Sequence, residues 1–277
     1  MCDRCDRRGP SVKKLLVTYD VEEFDWRLGG GRPLPAAEQI EITARGLQKL
    51  LPIHERHRAP ATFFVTGAFA LAEPELVMDL AQAGHEVAVH GLEHGDDYAN
   101  LEPTVAIDRL KRAKEIVEAA SGQEAVGMRT PRLRHCIAFV VRDAGFAYDA
   151  SPHPTWIPRR YFGLHYPRTP WRRNGITKVP ISVVPGLRMP VSWMWFQFAG
   201  PRLGLMGARL ASIGAPYLHL YFHPWEAVSL RPYGAPPPFS NRTGEVFLGT
   251  LDRLLSWSDG RLAPATVREV VETPALQ

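Results

Sequence analysis

The 277-residue chain is poor in cysteine and lysine and has no long apolar run. Its three cysteines are an odd number: Cys2 and Cys5 form a CxxC near the N-terminus, and Cys136 stands alone. With no second pair, a structural zinc knuckle would lack half its ligands. The expectation is instead a flexible terminal tail over residues 1–12. An odd count without an export signal fits reduced thiols and a cytoplasmic location. The opening MCDRCDRRGPSVKK is charged and leads into no apolar segment, so it does not read as a secretory signal. The most apolar uncharged stretch, 189–201, holds two prolines and a glycine and is too short for the ~20 residues that span a bilayer. Only 6 of 33 cations are lysine and no basic block of five or more occurs, which gives nucleic-acid binding no support.

What is present reads as a folded α/β protein. Hydrophobic residues make up 45% and charged residues 22%, with a net charge of +4. Proline, at 25 residues, is abundant, so many connections are stiff. Short apolar runs at 14–20, 61–66, 86–90, 125–130, 146–149, 177–184 and 217–223 read as seven strands. Helical spacing, with prolines at starts and glycines at ends, places helices at 36–57, 73–83, 103–120, 135–144, 202–213, 244–257 and 264–271. Alternation of this kind predicts a parallel α/β fold, with residues 13–277 as one domain. The Pro- and Arg-rich stretch 151–188 is expected as a long functional loop.

In such folds the reactive groups sit at the carboxyl ends of the strands. Here the first strand ends at Asp20 and is followed by Glu22 and Glu23. The third ends at His90 with His94 four residues on, the fourth runs into Arg129, the fifth ends at Asp149, and the last ends at His223. His90, His94 and an acid from a neighbouring strand make a His-His-carboxylate set suited to a divalent metal. Asp20 and Glu22 share one face of an extended segment, so one can bind metal while the other serves as base. Glu23 stays undecided, and Asp25 reads as solvated loop. His223 is a candidate proton donor and Arg129 a partner that keeps Asp20 ionised. His90–His94 also matches the HxxEH pattern of zinc peptidases, which requires a helix; Gly91 and the preceding strand-like run argue against one.

These residues resemble the motifs of the polysaccharide deacetylase family (NodB homology, carbohydrate esterase family 4), in order and over about 13–271. The resemblance implies a distorted, TIM-barrel-like (β/α) barrel of about seven parallel strands. It implies a metal-dependent hydrolase that removes an N-acetyl group from a polymeric or lipid-linked amino sugar. Asp20 would be the base, Glu22, His90 and His94 the metal ligands, His223 the acid, and Arg129 the support of the base. Arg132, Asp149, Leu220 and Trp225 would contact substrate, the leucines lining the acetyl pocket and the Arg132 backbone N–H aiding the oxyanion. Zn²⁺ is the expected ion, with Co²⁺, Mn²⁺, Fe²⁺ or Ni²⁺ as alternatives. The chain departs from the usual pattern in carrying Glu for the metal acid, offset by one, and Arg132 where an aromatic residue commonly follows Arg-x-Pro. A deformylase or cyclic-amide hydrolase would use the same chemistry. The apolar run 193–196 reads as core or hydrophobic rim ahead of lipid contact, and contact with the inner face of a membrane is a further expectation.

Overall fold

The structure is a computed structural model that describes residues 13–25, 34–158 and 161–273. The expected tail with Cys2 and Cys5, and most of the Gly- and Pro-rich loop at 29–35, lie outside the described residues. Strands β1 (Lys14–Val21), β2 (Thr62–Val65), β3 (Glu86–Val89), β4 (Gly127–Met128), β5 (Tyr148–Asp149), β9 (Ile176–Lys178) and β10 (Tyr217–Phe222) form one sheet. Their order is β10-β1-β2-β3-β4-β5-β9, and every neighbouring pair is parallel. This curled parallel sheet is the expected distorted barrel. An antiparallel strand β8 (Trp171–Arg173) extends one edge, and the short β11 (Ala263–Pro264) pairs the start of β1. Strands β6 (Trp156–Ile157) and β7 (Tyr161–Phe162) make a separate antiparallel pair inside the stretch expected to be a plain loop.

Helices α1 (Ala36–His57), α2 (Gly67–Ala72), α3 (Pro74–Gln82), α4 (Pro103–Ser121), α5 (Ala138–Asp143), α6 (Trp193–Ala199), α7 (Pro201–Ala211), α8 (Pro237–Ser240), α9 (Glu245–Ser258) and α10 (Val267–Glu272) complete the elements. The long periodic helices fall where expected. The short α2, α6 and α8 were not expected, because four to seven residues hold too few turns to show a period. The strand expected at 177–184 ends early: Pro180 has no N–H to offer a ladder. Beyond it the chain stays extended and closes toward β10 through Ser182 N–H donating to His219 O (2.9 Å).

Side-chain alternation decides what faces the site. On β1, Val17, Tyr19 and Val21 point to the helix layer, whereas Leu16, Thr18 and Asp20 point into the barrel. On β10, Phe222 packs on Phe196 of α6 and Phe247 of α9, so Leu220, two residues away, shares that outer face. Tyr217, His219, Tyr221 and His223 take the opposite one. Within the run 193–196, Trp193 and Phe196 are buried, as core.

Candidate active site

The strand ends meet in one cavity of about 200 Å³, lined by Asp20, Glu22, His94, Arg132, His223 and Trp225 among others. Glu22 lies at its centre. Its Oε2 is 3.0 Å from His90 Nε2 and 3.3 Å from His94 Nε2, and its Oε1 is 3.6 Å from His223 Nε2. Burial would raise the Glu22 carboxyl, but the attraction of His94, the hydrogen bond from His90 and the nearby His223 outweigh it and hold the group at about 2. Burial likewise opposes charge on His94, yet Glu22 and Asp25 raise that imidazole to about 9.

Asp20 is 3% exposed, and its Oδ1 accepts a hydrogen bond from Arg129 Nη1 at 2.6 Å. Its Oδ2 lies 4.0 Å from His90 Nε2. Arg129 is fully buried and serves four partners at once. Besides Asp20, Nη2 donates to Thr18 Oγ1 (2.8 Å) and His219 Nε2 (2.8 Å), and Nε donates to Ala150 O (3.2 Å). His219 Nδ1 donates in turn to Pro180 O, which fixes the tautomer that receives the guanidinium. Burial and the Arg129 charge push the His219 imidazole well below its ordinary range, so it stays neutral.

His223 follows β10 and is held from three sides. Its backbone N–H donates to Glu226 Oε1 (2.9 Å), Trp225 stacks on its ring at 4.3 Å, and Trp193 meets it edge-on at 5.2 Å. Glu226 accepts from Gln197 Nε2 at its other oxygen (2.9 Å). The signal for Glu226 was present in the sequence: it stands three positions after His223, the spacing of a capping box. His219 was also accessible, since it alternates with His223 along one strand face.

Two acids have roles that spacing did not reveal. Glu23 also lines the cavity, but its oxygens are taken: it accepts from Thr66 Oγ1 (2.8 Å) and from the His94 backbone N–H (3.2 Å), anchoring the histidine loop. Asp25 is a loop acid whose side chain stays 44% exposed, as expected, but it also has two charged neighbours. Its Oδ1 is 3.2 Å from His94 Nδ1 and its Oδ2 accepts from Arg132 Nη2 at 2.9 Å. The contacts cross between separate loops, which no local pattern encodes. Arg132 and Leu133 both adopt left-handed backbone (φ 56° and 53°), a strained turn at the cavity rim.

Leu220 and Asp149 do not reach this cavity. Leu220 is placed by strand alternation on the helix-facing side of β10. Asp149 lines an adjoining cavity of about 400 Å³, and its carboxylate is engaged by Lys178 Nζ (2.5 Å) and Ser151. The two cavities share Leu133 and Tyr161. The His90–His94 segment is a bend, not a helix, and Glu93 is directed to Arg109 (3.9 Å). The HxxEH peptidase arrangement is therefore not formed.

Glu22, His90 and His94 supply a carboxylate oxygen and two imidazole nitrogens, the donor set a divalent metal takes. Glu22 Oε2 stands 3.0 and 3.3 Å from the two Nε2 atoms, yet among the described residues no group of three such side chains is spaced to hold an ion as it stands. The buried Nδ1 of His90 has no hydrogen-bond partner among the described residues.

The profile of the polysaccharide deacetylase family matches residues 40–148. A chitooligosaccharide deacetylase of Sinorhizobium fredii is 46% identical over 191 residues, which cover 66% of this chain and 71% of that protein. A chitooligosaccharide deacetylase of a Bradyrhizobium species is 30% identical over 140 residues, covering 50% of this chain and 58% of that protein, so this match spans less than two thirds of the relative. The fold is shared with a solved structure from Mycobacterium smegmatis, a candidate polysaccharide deacetylase (TM-score 0.65, 21% identity, 95% of this chain and 91% of that chain). Among the described residues no helix is long and apolar enough to cross a membrane.

Proposed function

We infer that this chain, which belongs to the polysaccharide deacetylase family, is a metal-dependent hydrolase that removes the N-acetyl group of an amino sugar. The observation that carries the reading is the convergence of Asp20, Glu22, His94 and His223 on one small cavity, with His90 buried against Glu22, the five residues drawn from three strand ends. The activity of the Sinorhizobium and Bradyrhizobium relatives supports it. Glu22, His90 and His94 would hold one divalent ion, Zn²⁺ first. When bound, such an ion lowers the pKa of water and polarises a carbonyl.

The chain supplies the proton chemistry. Arg129 occupies Asp20 Oδ1 and orients the carboxylate, which leaves Oδ2 as the atom that takes the proton from the attacking water. His223, positioned by Glu226, Trp225 and Trp193, delivers a proton to the departing amine. The products are acetate and a free amino sugar. Arg132 and Trp225 border the cavity where the sugar would lie. A lipid-linked sugar is the narrower substrate reading, and the next section bears on it.

The test is acetate release from N-acetylated chitooligosaccharides by the zinc-loaded full chain. The wild type is expected to release acetate and Asp20→Asn to lose activity by more than a hundredfold. Formate release from the N-formyl analogue without acetate release would assign the deformylase instead. Full activity after complete metal removal would overturn the hydrolase mechanism.

A further inference from the structure

Charge is distributed unevenly along this chain. Residues 150–225 contain no Asp or Glu and nine cations, while the other 201 residues carry 24 cations and all 29 acids. The same stretch is also the most apolar on its surface. Of thirteen large apolar side chains exposed among the described residues, nine fall between 156 and 213, including Phe162 (67%), Leu187 (78%) and Ile213 (57%). Isolated exposed apolar residues are ordinary, but this concentration is not.

The pieces are joined in space. Arg168 Nη2 donates to Ala211 O and Ile213 O (both 3.0 Å), which ties the loop after β7 to the end of α7. Arg188 Nη1 donates to Tyr166 O (3.0 Å), and Thr155 Oγ1 donates to Arg188 O (2.7 Å), which ties the turn at 185–188 to the β6–β7 pair. Arg168 and Arg188 thus hold backbone carbonyls, and no acid of the described residues pairs with either. Burial and the Arg188 charge lower the Arg168 guanidinium below its ordinary value, a sign of like charges held together. On α7, Leu203, Met206 and Leu210 are exposed at helical spacing beside the exposed Arg202 and Arg209. Apolar side chains interleaved with arginine, without acids, match the chemistry of an anionic bilayer surface.

We propose that this face, formed by the β6–β7 pair, the turn at 185–188 and α7, docks on membranes rich in anionic lipid. The rim of the reactive cavity belongs to it: Tyr161 lines the cavity while its neighbour Phe162 faces solvent. Docking brings the cavity mouth beside the bilayer, where an amino sugar on a lipid carrier would be presented. That last step rests on the deacetylase reading; docking itself does not.

The test is co-flotation of the full chain with vesicles of phosphatidylcholine alone or with one part in four of phosphatidylglycerol. Partition is expected to rise at least tenfold with the anionic lipid and to vanish in molar salt. Arg202→Glu with Arg209→Glu should lower it about thirtyfold or more. Leu210→Asp with Ile213→Asp should lower it about tenfold or more. Both pairs are surface changes, so hydrolysis of a soluble chitooligosaccharide should be unchanged. Equal partition into both vesicles, no partition, or unchanged partition of either double variant would overturn the proposal. Should a variant fail to fold, the lipid-charge and salt series on the parent chain decides. Flotation is read without turnover, so a failed acetate assay leaves this result standing.

Discussion

Arg129 Nη1 lies 2.6 Å from Asp20 Oδ1, and both side chains are buried directly beneath the cavity. The guanidinium also stacks over the Phe64 ring at 4.2 Å. Five N–H donors in a rigid fork allow one side chain to orient Asp20 while satisfying Thr18, His219 and Ala150. A lysine cannot reproduce that geometry. Arg129→Lys is expected to fold and to lose about a hundredfold in kcat. Arg129→Ala leaves a buried carboxylate unpaired and should cost ~3–5 kcal/mol in urea denaturation. Full kcat in the lysine variant would show that orientation of Asp20 does not matter.

The two adjacent acids should separate cleanly. Glu22→Ala removes the oxygen that faces both imidazoles, and its zinc content after dialysis should fall close to zero. Glu23→Gln only loosens the His94 anchor; affinity should drop by about tenfold or less, with full loading in excess zinc. Metal analysis of both proteins decides, and the opposite pattern would make Glu23 the ligand. Chelation should abolish wild-type activity, with recovery on adding zinc.

Gly46 sets the position of the loop that carries His223. A Cβ at this residue of α1 would lie 2.0 Å from Pro224 O and 2.4 Å from Pro224 C, so helix and loop touch through backbone. Gly46→Ala must therefore displace Pro224, and with it His223. The expected cost is ~1–3 kcal/mol together with lower kcat. Gly249, exposed on α9 with nothing within 4 Å, is the control: alanine there should stabilise by up to ~1 kcal/mol. Thermal unfolding and kcat of the two variants test the contrast.

Acid should weaken the fold through the far end of the barrel. His54 Nδ1 donates to Ala59 O (2.8 Å), and its Nε2 accepts from Tyr19 Oη (2.7 Å), so the buried ring is held neutral. Burial lowers both His54 and His85 to about 4. Unfolded histidines take up protons near 6.5, so these groups leave stability at its full value above that pH. Stability then falls progressively as pH drops toward 4, by up to ~3 kcal/mol from His54. Denaturation midpoints between pH 7.5 and 4 should show this loss, and His54→Leu should have a shallower slope. An unchanged slope in that variant would remove His54 as the cause.

The clustered polar groups were legible in the sequence because each ends an apolar run of a strand, and parallel strands bring their carboxyl ends to one rim. Asp20, His90, Arg129 and His223 were found in that way. Asp25 and Glu23 were not, because their partners Arg132 and Thr66 are distant in the chain and meet them only after the loops cross. Leu220 was placed in the cavity by motif, whereas alternation along β10 turns it to the helices. Asp149 looked like a free acid at a strand end, yet Lys178 on the adjoining strand claims its carboxylate.

By itself the sequence determined the alternating α/β architecture, the long helices and the strand-end inventory of acids and imidazoles, because local periodicity and chain punctuation encode them. Tertiary structure alone decided that Glu22 stands between the histidines, that one buried arginine holds Asp20, and that Arg168 and Arg188 tie the segments of the acid-free stretch together. Those outcomes depend on which way each side chain points after distant segments pack, and no local pattern carries that direction.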